Sequence, residues 1–204
     1  MIFEAPMNMH CVENALVFFL GGVKMKCKFS FFLCAFLFSL FASYNIDDNS
    51  DLKIVVDCPA EIAARAFRFA ELYEDSETIY EWGGQSPLRS AIAIDCSGLV
   101  IMCYKYAMVD TKYSLLLSDM SAGYMYENAA SIVPLEKMRK GDLIFMGEED
   151  SQKVTHIALF DCKEDGNVYF IDSTEKENIS GVSRRSYESD DKRFKSFGVM
   201  KLQY

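Results

Sequence analysis

The sequence lacks any long block of lysine and arginine. Its 21 basic residues are scattered among 30 acidic ones, giving a formal net charge of -9. That pattern offers no footprint for nucleic acid and fits a well-solvated acidic surface. No CxxC pair and no histidine-rich spacing is present, so zinc is not expected, and no organic cofactor is implied. Internal repeats and long linkers are also missing. Histidine is scarce, with only His10 and His156. What remains is a chain of 204 residues, half of them hydrophobic, enough for one globular domain with a real core.

The N-terminal region has a different texture. Lys26 and Lys28 precede a 14-residue apolar run, Phe29 to Ala42. The run is shorter than the roughly 18 to 20 residues a membrane-spanning helix needs, and it has the shape of a secretory signal with a start at Met25. The division expected is therefore an upstream extension plus signal peptide over 1–43, a lead-in over 44–59 and a domain over 60–204. Cleavage after Ala42 or Ser43 would release the domain. A retained anchor, lengthened by the apolar residues from Ala15 to Val23, is the alternative. Export permits disulfides. Cys96 and Cys103 lie seven residues apart, about 10 Å along a helix axis, too far to bridge; Cys58 with Cys162 is the pairing that could form.

Along the domain, Pro59 suits the first turn of a helix. Ile62, Ala66, Phe69, Ala70 and Tyr73 follow at helical spacing. Residues 75–94 read as irregular. A second helix is predicted from Cys96 to about Ala107, with Leu99, Val100, Cys103 and Ala107 as its buried stripe, and a short one over 118–131. After Pro134 the stretches "GDLIFM", "THIALF", "NVYFID" and "FGVMKL" read as strands. Helices first and strands second, without βαβ alternation, predict an α+β domain with an antiparallel sheet.

Two residues stand out chemically. Asp95 is placed to cap the second helix, accepting from the amide of Ser97 or Gly98. Cys96 then occupies the first helical position, where the dipole and unpaired amides favour a thiolate and can hold an oxyanion. A buried helix cysteine is the bland alternative. His156 opens an apolar strand, where an imidazole has little packing value, and it is the one histidine of the domain. It could serve the thiol as proton acceptor and donor, or be a hydrogen-bonded structural histidine.

The stretches "YEWGG" (80–84), "DCSGLV" (95–100), "MRKGDLIF" (138–145), "THIALF" (155–160) and "YFIDS" (169–173) resemble, in order and spacing, the motifs of the NlpC family. These are papain-like cysteine peptidases that cut bacterial cell-wall peptides. The similarity covers about residues 60–204. It implies a papain-like α+β fold, with the nucleophile at a helix N-terminus and helices packed on an antiparallel sheet. It implies Cys96 as nucleophile, His156 as base and Tyr80 as a hydrogen-bonding residue lining the site. Asp95 and Ser97 would flank the nucleophile and help form the substrate pocket, and Trp82 would shape the neighbouring loop. The third catalytic position, commonly a histidine in the family, falls here on Asp172.

By the same resemblance the substrate is a peptidoglycan stem peptide, cut between D-glutamate and the diamino acid. The protein is expected in the periplasm, outside the cell or in the envelope, as a monomer that touches membrane only through its signal or anchor. An amidase or acyltransferase on the same scaffold, or a non-catalytic envelope-associated domain, are the alternatives.

Strand parity bears on Asp172. Side chains alternate along a strand. A two-residue turn at Asp165-Gly166 would pair Asp172 with Leu159 and put Glu175 opposite His156. A five-residue loop, 162–166, would pair His156 with Asp172. The longer loop is the one predicted.

Two lesser motifs read blandly. Asp142 suits a turn or cap, and "SRRS" at 183–186 a solvated loop.

Overall fold

The computed structural model describes residues 11–12, 15–20, 23–26 and 53–204, apart from 90 and 177. The chain divides into two compact units, Met1–Leu52 and Lys53–Tyr204. In the first, strands β1 (Cys11–Val12), β2 (Ala15–Leu20) and β3 (Val23–Lys26) form a small antiparallel sheet. The apolar run 29–42 read as a signal lies outside the described residues. No helix among the described residues is long and apolar enough to cross a membrane.

The second unit begins with β4 (Val55–Asp57), which lies within the stretch expected as a lead-in and pairs with the last strand of the chain. Helix α1 (Ala60–Glu74) follows, with Pro59 as its N-cap. Ile62, Ala63, Ala66, Phe67, Ala70 and Tyr73 are its buried face, the stripe expected of a helix packed on one side. Short strands β5 (Thr78–Ile79) and β6 (Ile92–Ala93) then pair in parallel. Helix α2 (Cys96–Ala107) is buried at eight of its 12 positions, because it is packed between α1 and the sheet. Strand β7 (Ser114–Leu115), helix α3 (Ala122–Asn128) and strand β8 (Ala130–Ile132) lead into the main strands.

Those are β9 (Leu143–Met146), β10 (His156–Glu164), β11 (Asn167–Lys176), β12 (Ile179–Glu188) and β13 (Phe194–Gln203). Their antiparallel order is β12-β11-β10-β9-β13-β4, with β7 and β8 also paired to β13. Alternation splits the sheet into two apolar faces. Ile157, Leu159 and Ile171 join the helices in one core. Ala158, Phe160, Val168 and Phe170 pack with Ile144 and Met146 in a second. Gly141 precedes β9 with φ +89°, and a Cβ there would meet the Ala63 carbonyl oxygen at 1.9 Å. This glycine lets the sheet come against α1.

Two expectations are corrected. The segment 183–186 is strand β12, not a loop. As an outer strand it has a solvent side for polar residues, and Arg184 and Ser186 are exposed while Ser183 and Arg185 are partly buried. The five-residue loop at 162–166 is not formed either. Glu164 pairs with Asn167, leaving a two-residue turn whose members have φ +50° and +80°, as an Asp-Gly hairpin prefers. Instead, the register shifts between Phe160 and Cys162, so that Asp161 is taken up in a bulge. Its carboxylate is held by Lys140 and by Arg184, and Arg184 also reaches Glu71 and Glu74 of α1 at 3.2 Å. The bulge sets Leu159 opposite Ile171 and Phe160 opposite Phe170. Continuing that register puts Asp172 on the His156 face.

All four cysteines of this unit are free. Cys58 is buried with its thiol donating to the Pro59 carbonyl at 3.3 Å, and no bridge to Cys162 exists. Asp142 is buried and accepts from the Arg139 backbone amide at 2.8 Å and from its guanidinium, a turn-holding role.

Candidate active site

The start of α2 is organised by one carboxylate. Asp95 accepts from the Gly98 amide at 2.6 Å and from the Ser97 hydroxyl at 2.9 Å through Oδ1, and from the Gly83 amide at 2.8 Å through Oδ2. It therefore caps the helix and ties the Trp82-Gly83-Gly84 loop to it. The Asp95 amide returns a bond to the Gly84 carbonyl at 3.1 Å. That contact is close: a Cβ on Gly98 would lie 2.1 Å from the Gly84 oxygen. Glycine at 98 is thus a packing requirement. Because Gly98 donates to Asp95, the amides of Cys96 and Ser97 are the first-turn donors that Asp95 does not take.

Cys96 is the first residue of α2, and only 6% of its surface is exposed. It lies on a cleft of about 470 Å³ lined by Trp82, Asp95 and Ser97 and by residues 119–123 and 153–155. Trp82 is 84% exposed at its rim. Tyr80 is close by. Burial, then the charges of Cys96, Asp95 and Glu175, push its hydroxyl up to about 12, so it stays a donor at neutral pH.

His156 stands at the first position of β10, opposite Met146 of β9. Its Nε2 meets Asp172 Oδ2 at 2.5 Å, which leaves Nδ1 for another partner. Burial opposes the charge on the imidazole, but hydrogen bonds to Asp172 and to Cys96, and the charges of both, outweigh it and raise the group from 6.5 to about 9. Asp172 is fully buried. Burial alone would neutralise it, yet His156 and Arg185 hold its carboxyl below the ordinary carboxylate range. Glu175 is exposed and does not take the place of Asp172.

The residues singled out in the sequence, Tyr80, Trp82, Asp95, Cys96, Ser97, His156 and Asp172, therefore gather at one place. Arg185 was not among them. Its Nε donates to Asp172 Oδ1 at 2.9 Å and its Nη2 to Oδ2. The signal that could have found it is the alternation Gly181, Ser183, Arg185, Tyr187 along β12, where Ser183 pairs with Asp172.

A helix N-terminus that sets a cysteine beside an imidazole and carboxylate, with an antiparallel sheet after the helices, is a papain-like α+β arrangement. The model of the NlpC/P60 family matches residues 77–196, more than half of the sequence, and the chain belongs to that family. Over 90 residues it is 37% identical to peptidoglycan endopeptidase RipA of Mycolicibacterium smegmatis, covering 40% of this chain and 16% of that protein. The chain thus spans a small part of this curated relative. Among solved structures, NlpC2 from Trichomonas vaginalis is similar at 19% identity and TM-score 0.49, over 72% of this chain and 48% of that one. An NLP/P60-family protein described as similar to lipoprotein, from Staphylococcus aureus, is similar at 24% identity and TM-score 0.46, over 78% and 46%.

Proposed function

We propose that the unit Lys53–Tyr204 is a cysteine peptidase acting on cell-wall stem peptides. The observation that carries this is the Cys96 thiol at a helix N-terminus against an imidazole held by a buried carboxylate. Family membership and the endopeptidase relative support the substrate class. In this reading the Cys96 thiolate attacks a peptide carbonyl, and the developing oxyanion is met by first-turn amides of α2. His156, held by Asp172, gives its proton to the departing amine. It then takes a proton from the water that releases the acyl group. The bond proposed is the one between D-glutamate and the diamino acid. The site of action proposed is outside the cytoplasmic membrane, reached through the apolar segment 29–42.

Digestion of defined stem peptides, with products identified by mass spectrometry, tests this. The wild-type chain should cleave them and Cys96→Ala should not. Full activity in Cys96→Ala would sink the proposal.

A further inference from the structure

We propose that Arg185 is a positioning residue that acts on His156 through Asp172, fixing the carboxylate's orientation and offsetting its charge. This rests on the reading of Cys96 and His156 given above.

The geometry is that of a clamp. Asp172 Oδ2 receives both His156 Nε2 and Arg185 Nη2, while Oδ1 receives Arg185 Nε. A planar guanidinium engaging both carboxylate oxygens fixes the carboxylate plane, and hence the direction from which the imidazole is held. Arg185 is itself immobilised. Its side chain is 12% exposed, its guanidinium lies 5.3 Å from the Phe170 ring and 5.4 Å from the Tyr187 ring, and its Nη1 donates to the Tyr187 hydroxyl at 2.6 Å.

The electrostatic case follows from what surrounds the imidazole. Cys96 approaches it from α2, with Asp95 and Tyr80 beyond. Asp172 and Lys176 come from β11, Arg185 and Tyr187 from β12, and Glu148 and Arg193 from the connecting segments. Arg193 is committed elsewhere, paired with Asp191 at 2.6 Å and stacked on Tyr187 at 3.5 Å. In the reading of the site given above, Cys96, His156, Asp172 and Arg185 therefore form one row, with the Asp172 carboxylate between the imidazole and the guanidinium. Without the guanidinium, a dry carboxylate would hold the imidazolium proton more tightly, and a proton so held is harder to pass to a leaving amine. A neutral third residue would need no such counterion. Arg185 is the compensation for an acid at that position.

The test is the pH dependence of Cys96 alkylation by iodoacetamide, from about pH 5 to about pH 10.5, spanning the ordinary histidine and cysteine ranges. Peptide mass analysis separates Cys96 from Cys58, Cys103 and Cys162. The alkaline step of this profile reports loss of the imidazolium proton. Arg185→Gln should move that step up by about one pH unit. Arg185→Lys keeps the charge and should leave it near the wild-type position. Arg185→Met, which keeps the stem against Phe170 and Tyr187, replaces the glutamine variant if that one does not fold. An alkaline step that stays in place in the uncharged variant, or moves equally in the lysine variant, overturns the proposal. A wild-type profile without an imidazolium step overturns the underlying reading of the site, and the role of Arg185 with it.

Discussion

His156 and Asp172 meet at 2.5 Å on adjacent strands whose nearest fixed register pairs are Leu159 with Ile171 and Phe160 with Phe170. Their encounter is diagonal, and it exists because one residue of β10 is bulged out between that register and the hairpin tip. The contact therefore depends on backbone geometry five residues away from the histidine.

This relationship separates the two acids of β11. Asp172→Asn should lower the rate of peptide cleavage on the order of 10²-fold or more, since it removes the acceptor that holds the imidazolium. Glu175→Gln should stay within about twofold of wild type, as a substitution at an exposed residue. Steady-state kinetics of the two variants under one condition decides between them. Equal losses would contradict the diagonal pairing.

The pH dependence of stability has a defined sign on each side. His156 is raised to about 9, so its contribution is complete below the ordinary histidine value near 6.5 and is lost as pH rises through about 9. Asp172 is held low, so its contribution is present above the ordinary carboxylate range and is lost as pH falls through its lower folded value. Thermal unfolding across pH should show a plateau between these limits. His156→Gln should remove most of the alkaline fall.

Gly98→Ala should damage both fold and site. The added methyl would lie 2.1 Å from the Gly84 oxygen, so either α2 or the Trp82-Gly83-Gly84 loop must shift. Overpacking of this kind costs about 1 to 3 kcal/mol. Calorimetry should show a lowered Tm, and Cys96 alkylation should slow at neutral pH.

Trp82 gives an optical probe. It is the sole tryptophan of the sequence and stands 84% exposed on the rim of the cleft. Adding stem peptide to Cys96→Ala should change its fluorescence in a saturable way. Trp82→Ala should raise KM with kcat nearly kept, the pattern of lost uniform binding.

Much of this site was legible from residue types. A capping acid before a cysteine, and one histidine opening an apolar strand, are local signals, and α2 and β10 begin where those signals put them. The helix faces of α1 and α2 were likewise written in the spacing of Ile62, Ala66, Ala70 and Leu99. Legibility failed where the outcome depends on partners remote in sequence. The bulge that replaces the longer loop has its extra residue, Asp161, held by Lys140 and Arg184, partners that local pattern does not reveal. Strand β12 was hidden because its polar residues face solvent on one side and a buried carboxylate on the other. A run such as "SRRS" looks like a loop until its neighbour is known.

The bulge at Asp161 also says how this hairpin tolerates change in length. Residues on the tip side of it pair as Cys162 with Tyr169 and Glu164 with Asn167, and those on the far side as Phe160 with Phe170. Excising Asp161 would join these ladders without a gap and leave His156 and Asp172 on a common face. The surplus residue is therefore dispensable to pairing. What it supplies is a tether, since Asp161 is the anchor through which Arg184 of the outermost strand is drawn toward Glu71 and Glu74 of the first helix.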